Sequence, residues 1–154
     1  MSLLEGSKVP DFNLIDQNGD LINLSSISGK PAVLYFYPKD DTPGCTVEAC
    51  EFRDIYEEFN KLDCEIYGIS PDDESSHNKF IDNHSLPFTL LCDPDKKMIQ
   101  EYGVWGEKNM YGKKSMGIIR STFLIDEDGI LLKKWTNVQA KGHAEKVKEV
   151  LANS

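Results

Sequence analysis

The sequence lacks several features that would assign it to a familiar functional class at once. No apolar run is long enough to cross a bilayer, and no glycine-rich phosphate-binding loop is present. No two cysteines have the Cys-x-x-Cys spacing, and His77, His84 and His143 show no paired ligand spacing. These absences argue against a membrane span, a phosphate-binding loop, a metal site and a thioredoxin-type disulfide reductase.

Positive charge is also scarce. The chain has 17 lysines and arginines against 26 aspartates and glutamates, which gives a formal net charge of -9. This balance argues against nucleic acid and against an acidic membrane surface as partners. The N-terminus carries an acid and lacks a signal-peptide core, so the sequence predicts a cytoplasmic protein unless an import segment has been removed.

Cysteine is present in small number. Four cysteines in 154 residues do not make a disulfide scaffold, because a chain of this length can bury a sufficient core without cross-links. The length predicts one domain over residues 1–154. A cysteine pair in a reducing compartment is more typical of catalysis, redox sensing or metal binding.

The apolar pattern predicts strands that alternate with helices. Alternating runs around Asn18-Gly19 and around Asp128-Gly129 each predict a β-hairpin. Buried strands are predicted at residues 31–37, 64–70 and 88–92, helices at 73–84, 98–102 and 144–151, a turn at 25–29 and a surface loop at 103–117. This order predicts an α/β fold, with a central mixed sheet flanked by helices.

The helix after the first buried strand has a single apolar stripe. It is predicted from Thr46 onward, on the spacing of Phe52, Ile55, Tyr56 and Phe59. The acids fill the other positions of this helix. Glu48 and Glu51 suit the positive end of the helix dipole.

The connection into this helix contains a cysteine in an activating position. Cys45 is expected in the first helical turn, where unpaired N–H groups and the dipole stabilise a thiolate. Gly44 permits a tight turn, Thr42 offers a hydroxyl, and Pro38 and Pro43 stiffen the loop. Position alone leaves two interpretations open: a reactive thiol, or a small apolar side chain that caps the core.

The run PKDDTPGC, from Pro38 to Cys45, matches the PxxxTxxC motif of the peroxiredoxins. Cys50, five residues after Cys45, resembles the bacterioferritin-comigratory-protein or PrxQ branch in particular. The resemblance covers nearly the whole chain. It includes GIS at residues 68–70, YGVWGEK at 102–108 and GIIRSTFLID at 117–126. It implies a thioredoxin-like fold with an N-terminal β-hairpin extension, and a thiol-dependent peroxidase that needs no bound cofactor.

The resemblance also implies a role for each motif residue. Cys45 is expected to attack hydrogen peroxide or an organic hydroperoxide and to become a sulfenic acid. The Thr42 hydroxyl, the Cys45 N–H and the Arg120 guanidinium are expected to stabilise the transition state, while Pro38 shields the sulfur. Cys50 is expected to resolve the sulfenic acid to an intramolecular disulfide, which thioredoxin or a similar dithiol reductant reduces.

Helical geometry sets a condition on that disulfide. Five residues of helix place the two Cα atoms about 8.7 Å apart on nearly opposite faces, beyond the roughly 7 Å that a disulfide spans. The first turns must therefore unwind if Cys50 resolves Cys45. Two alternatives stay open: a single-cysteine peroxidase with Cys50 idle, and a redox-switch or chaperone-like protein in which unwinding exposes a binding surface.

The remaining cysteines and the tryptophans have less specific expectations. Cys64 and Cys92 lie in apolar strand patterns and are expected in the core. Trp105 either lines the rim of the active site or covers the core, and Trp135 is expected to pack or to lie on the terminal hairpin. The lack of a long C-terminal extension with a resolving cysteine favours a monomer and leaves a weak dimer open.

Overall fold

The computed structural model describes residues 3–110 and 112–154. Its strands are β1 (Asn13–Asp16), β2 (Leu21–Asn23), β3 (Ala32–Phe36), β4 (Glu65–Ser70), β5 (Thr89–Cys92), β6 (Trp105–Met110), β7 (Lys113–Ile118), β8 (Ser121–Ile125) and β9 (Leu131–Trp135). Seven of them form one sheet in the order β2-β1-β5-β4-β3-β8-β9. The three central strands β5, β4 and β3 are parallel, and the outer pairings are antiparallel, so the predicted mixed sheet is confirmed.

The helices cover both faces of this sheet. They are α1 (Leu24–Ile27), α2 (Pro43–Asp54), α3 (Tyr56–Lys61), α4 (Glu74–His84), α5 (Lys97–Glu101) and α6 (His143–Ala152). Alternate residues of β3 enter two separate apolar clusters, with Leu34 and Phe36 on one face and Val33 and Tyr35 on the other. Burial on both faces explains the continuous apolar run of this strand. Among the described helices, none is both long enough and apolar enough to cross a membrane.

Both predicted hairpins are present. The turn at Asn18-Gly19 joins β1 to β2, and the turn at Asp128-Gly129 joins β8 to β9. Gly19 and Gly129 have φ values of 82° and 78°, a left-handed conformation that glycine adopts without a Cβ clash. The first hairpin extends the sheet beyond β5, as expected for an N-terminal extension.

Three local predictions are wrong. Residues 103–117 are not a surface loop, because β6 and β7 pair as a separate antiparallel hairpin. Gly106 and Gly117 face each other there, and a Cβ on them would lie 2.6 Å from Ile119 Cδ1 and 3.1 Å from Lys108 Cδ. These glycines make room for crossing side chains rather than marking a loop. Residues 25–29, predicted as a turn, begin inside the short helix α1.

The third difference concerns the helix that carries the cysteines. It begins at Pro43, three residues before the predicted start, because proline fits the first helical turn, where its missing N–H has no intrahelical role. It also ends at Asp54, and Ile55 separates it from α3. The predicted single stripe is therefore divided between two helices.

Candidate active site

Cys45 lies in the first turn of α2, as the sequence predicts. Thr42 is the N-cap residue and Pro43 the first helical residue, so Cys45 is third in the helix. The N–H groups of a first helical turn have no carbonyl partner within the helix, and they point toward the region before it. The Cys45 side chain is only 1% exposed, which shields its sulfur from bulk water.

Arg120 reaches this sulfur from the short connection between β7 and β8. Its Nη2 donates to Cys45 Sγ at 3.2 Å, and its Nη1 donates to Glu48 Oε1 at 2.7 Å. Burial opposes the charge of Arg120, but Glu48 and Cys45 outweigh it and raise the arginine pKa above its ordinary value. The guanidinium therefore stays a cation in direct contact with the sulfur.

Gly44 leaves space for this contact, and its role differs from the predicted one. A Cβ on Gly44 would lie 3.2 Å from Arg120 Nη2, closer than most Cβ contacts in proteins. The glycine has an ordinary backbone conformation here, so its value is the space it leaves for the guanidinium. The predicted role in a tight turn is replaced by a role in close approach.

Glu48 is a site residue that the sequence interpretation missed. It was expected among the outer, acidic positions of the helix, yet its side chain is fully buried. Burial raises the pKa of Glu48 to about 7, although the adjacent Arg120 acts in the opposite direction. The available signal was its spacing, because a residue three positions after Cys45 shares a helix face with it.

Thr42 and Pro38 belong to the same loop, with one difference from expectation. The Thr42 hydroxyl donates to the Lys39 carbonyl oxygen at 2.8 Å, so its proton is engaged within the loop. Its oxygen retains the capacity to accept a hydrogen bond. Pro38 is half-buried at the start of the loop, directly after β3 and Tyr37.

The second cysteine of the motif lies on the same uninterrupted helix. Cys50 is half-buried in α2, and all four cysteines are free thiols. Cys64, directly before β4, and Cys92, at the end of β5, are both buried, as predicted for core residues. Burial, together with the charge of Glu65, raises the pKa of Cys64 to about 12, which keeps that thiol protonated and inert.

The β6–β7 hairpin contributes a further cation near the site. Burial and the charge of Arg120 lower the pKa of Lys108, while Cys45 acts to raise it. Trp105 of the same hairpin is half-buried and packs against the core, with Lys96 Nζ 5.5 Å from its ring centroid. Of the two interpretations of Trp105, core cover is the one with observed contacts. Trp135, on β9, packs against the second apolar cluster.

Comparison with known proteins assigns the chain to a family. Residues 6–134 match the AhpC/TSA family. Peroxiredoxin Bcp of Bacillus subtilis is 48% identical over 151 residues, covering 98% of this chain and 96% of the relative. A putative peroxiredoxin bcp of Helicobacter pylori is 51% identical over 146 residues, covering 95% and 96%.

Solved structures agree with these relatives. A PrxQ mutant of Xylella fastidiosa superposes with a TM-score of 0.93 at 32% identity, covering 99% of this chain and 98% of that one. The bacterioferritin comigratory protein of Xanthomonas campestris, studied for its alkyl peroxide reduction, gives a TM-score of 0.87 at 38% identity, covering 92% and 90%. This chain therefore belongs to the AhpC/TSA family, within its Bcp and PrxQ peroxiredoxins.

Proposed function

We propose that the protein reduces hydrogen peroxide and organic hydroperoxides, with Cys45 as the nucleophile. The observation that carries this proposal is the Arg120 guanidinium, which contacts Cys45 Sγ and Glu48 Oε1 with two different nitrogens. The alkyl peroxide reduction named for the Xanthomonas campestris relative supports organic hydroperoxides as substrates.

In the first step the Cys45 thiolate attacks one oxygen of the hydroperoxide. An S–O bond forms and the O–O bond breaks, so the sulfur is oxidised to a sulfenic acid. The second oxygen leaves with the bonding electron pair and takes a proton, which yields water or an alcohol. Negative charge spreads over the sulfur and both oxygens in the transition state.

Two donors would stabilise that charge, and a third group would orient the peroxide. The Cys45 N–H and Arg120 Nη2 donate hydrogen bonds, and the Thr42 oxygen accepts one from the O–H of the peroxide. Glu48 fixes the other end of the guanidinium, so Arg120 needs little reorganisation when the peroxide enters. Pro38 narrows access to the sulfur.

In the second step the Cys50 thiolate attacks the sulfenic sulfur: an S–S bond forms, the S–O bond breaks, and the departing hydroxide takes a proton and leaves as water. Both cysteines lie on one helix, so α2 must unwind over its first turns before the sulfurs meet. The break at Ile55 favours this, because unwinding of α2 need not propagate into α3. Thioredoxin, or a similar dithiol, then reduces the disulfide. All the reacting groups belong to one chain, which is compatible with a monomer.

The decisive experiment is intact mass and peptide mapping of fully reduced protein after one equivalent of hydrogen peroxide. Loss of two hydrogens, mapped to a Cys45–Cys50 link within one chain, supports the two-cysteine mechanism. One added oxygen on Cys45, with Cys50 free, indicates the single-cysteine mechanism. Continued peroxide consumption with thioredoxin, thioredoxin reductase and NADPH separates an enzyme from a redox switch, which reacts once per chain.

A further inference from the structure

A second buried charge cluster lies beneath the loop that leads to Cys45, and the proposed reaction does not use it. Asp40, in this loop, is 6% exposed. Its carboxylate accepts hydrogen bonds from Tyr37 Oη at 2.6 Å, Ser76 Oγ at 2.8 Å and His77 Nδ1 at 2.7 Å. His77, from α4, is fully buried.

The surroundings of His77 determine its protonation. Its Nε2 lies 2.9 Å from the Leu91 carbonyl oxygen, which can only accept, so this nitrogen carries a proton. Asp40 already receives two hydroxyl donors and therefore acts as a carboxylate toward Nδ1. Burial lowers the pKa of His77, but the hydrogen bond to Asp40 and the influence of the neighbouring Cys92 outweigh it and raise the pKa to about 10. His77 is thus a buried imidazolium.

These groups are a hydrogen-bond network rather than a vacant metal site. Asp40, Asp72 and His77 place one potential ligand atom each within 4.8 Å of one another. Asp72 Oδ2, however, already accepts from the Asp40 N–H and the Ser70 hydroxyl, both at 2.8 Å. Both nitrogens of His77 are also engaged, as described above. A cation would have to displace this network of short hydrogen bonds.

The network holds the loop at two successive residues. Asp40 is held through its side chain and its N–H, as described above. Asp41 accepts from His84 Nε2 at 2.9 Å and from Asn83 Nδ2 at 3.3 Å, again from α4. Asp41 has a φ of 58°, a left-handed conformation that non-glycine residues adopt at a cost and keep where surrounding contacts support it. Thr42, the N-cap of α2, follows immediately.

We infer that His77 is a positioning residue: its imidazolium, through Asp40, clamps the loop to α4 and so places Thr42 and the first turn of α2 against Arg120. This inference rests on the proposed peroxidase function. The clamp also limits which segment of the chain can unwind. Phe52 is fully buried and stacks on Tyr35 at 5.0 Å, so the segment free to unwind lies between the Asp40 clamp and Phe52. That segment contains both cysteines of the proposed disulfide.

The test compares two reactions of Cys45 in reduced protein. Reaction with hydrogen peroxide needs the placed donors, whereas alkylation by iodoacetamide needs only an accessible thiolate at Cys45. His77→Gln and Asp40→Asn should slow the peroxide reaction about tenfold or more, since small misplacements of reacting groups cost this much, while alkylation changes less than about threefold. Asn78→Ala is the matched control, because Asn78 is the exposed neighbour of His77 and donates to the Gln17 carbonyl. It should leave both rates unchanged.

Each outcome decides the inference. An unchanged ratio of the two rates in His77→Gln overturns it, even if the wild-type protein is an active peroxidase. A wild-type protein that is alkylated but ignores peroxide overturns the proposed function instead, and the clamp then has no reaction to position. Nitrogen NMR of the His77 ring in the wild-type protein tests the imidazolium separately. This measurement depends neither on the two reaction rates nor on whether a variant folds. Two protonated ring nitrogens from about pH 6 to pH 9 support the imidazolium, and loss of either proton in that range overturns it.

Discussion

Arg120→Gln removes a guanidinium that contacts Cys45 and Glu48 at once, and its two consequences can be measured separately. The first is the rate. At 3.2 Å, a cation and a thiolate interact by roughly 5 kcal/mol at an effective dielectric constant of about 20, which is an upper bound. Loss of one preorganised donor typically costs about 2.7–4 kcal/mol. We therefore expect the second-order rate constant with hydrogen peroxide to fall about 10²- to 10³-fold.

The second consequence is stability. Without Arg120, the fully buried Glu48 carboxylate has no counter-charge, and removing one partner of a buried ion pair costs about 3–5 kcal/mol. Burial already raises the pKa of Glu48 to about 7 in the intact site. The Arg120 charge holds that pKa down, so its removal raises the pKa further, and the loss of stability relative to the wild type grows as pH rises above about 7. Protonation of Glu48 limits this loss to about 1.4 kcal/mol for each pH unit above 7, so we expect up to about 1.4 kcal/mol at pH 8 and little at pH 6.

The double variant Arg120→Gln with Glu48→Gln separates the two effects. It carries no unpaired buried charge, so it should regain most of the stability that the single variant loses. It still lacks the donor to Cys45, so the peroxide reaction should stay slow. Urea unfolding at pH 6 and pH 8 measures the stability, and stopped-flow mixing of reduced protein with hydrogen peroxide measures the rate.

The control is Lys114→Gln, which removes an exposed ion pair to Glu107 at 3.6 Å and should change neither quantity measurably. Recovery of the rate together with stability in the double variant would refute the reasoning. Arg120 would then act by maintaining the fold rather than by contacting the sulfur.

Three further predictions test neighbouring features. Gly44→Ala should slow the peroxide reaction about tenfold in stopped-flow measurements, with little change in urea unfolding, because its Cβ displaces the Arg120 guanidinium. Cys50→Ser should still react once with peroxide, and mass spectrometry should find one added oxygen on Cys45. In the wild type, the raised His77 pKa stabilises the fold fully below about pH 6.5. As pH rises toward 10, the free energy of unfolding loses this contribution at about 1.4 kcal/mol per pH unit. In His77→Gln, the free energy of unfolding measured in urea from pH 7 to pH 9 should lack this slope.

The sheet could be predicted because its signals are local. Residues 32–36 are apolar without interruption, since β3 is covered on both faces, and this pattern is readable without knowing what covers it. The turns at Asn18-Gly19 and Asp128-Gly129 are local for the same reason, because each turn chemistry lies in two adjacent residues.

The β6–β7 hairpin and the break between α2 and α3 could not be predicted from local signals. From sequence alone, Gly106 and Gly117 indicate a loop. In the structure they are glycines because the side chains of Ile119 and Lys108 occupy the space that a Cβ would need. The apolar stripe of α2 and α3 keeps its spacing across Ile55, so periodicity alone gives no sign that the helix ends there.

The site likewise contains residues that a local sequence motif predicts and residues whose environment depends on distant parts of the chain. The motif positions Thr42, Cys45 and Arg120 were predicted, and the structure places Arg120 on Cys45. Glu48 was missed because a single acid on a helix usually faces solvent. Its burial depends on Arg120, which is 72 positions away in sequence. His77 depends likewise on Asp40, 37 positions away, and no local pattern marks that pairing.

Glu48 also connects the proposed unwinding to pH. It lies between Cys45 and Cys50, so unwinding of the first turns of α2 would carry it away from Arg120 and into water. Its pKa would then return from about 7 toward the ordinary value near 4.5, and the carboxyl would release its proton. Unwinding therefore becomes easier as pH rises from about 4.5 through 7, by up to about 1.4 kcal/mol per pH unit. The buried carboxyl that fixes Arg120 for the first step thus gives the second step a pH dependence of defined sign.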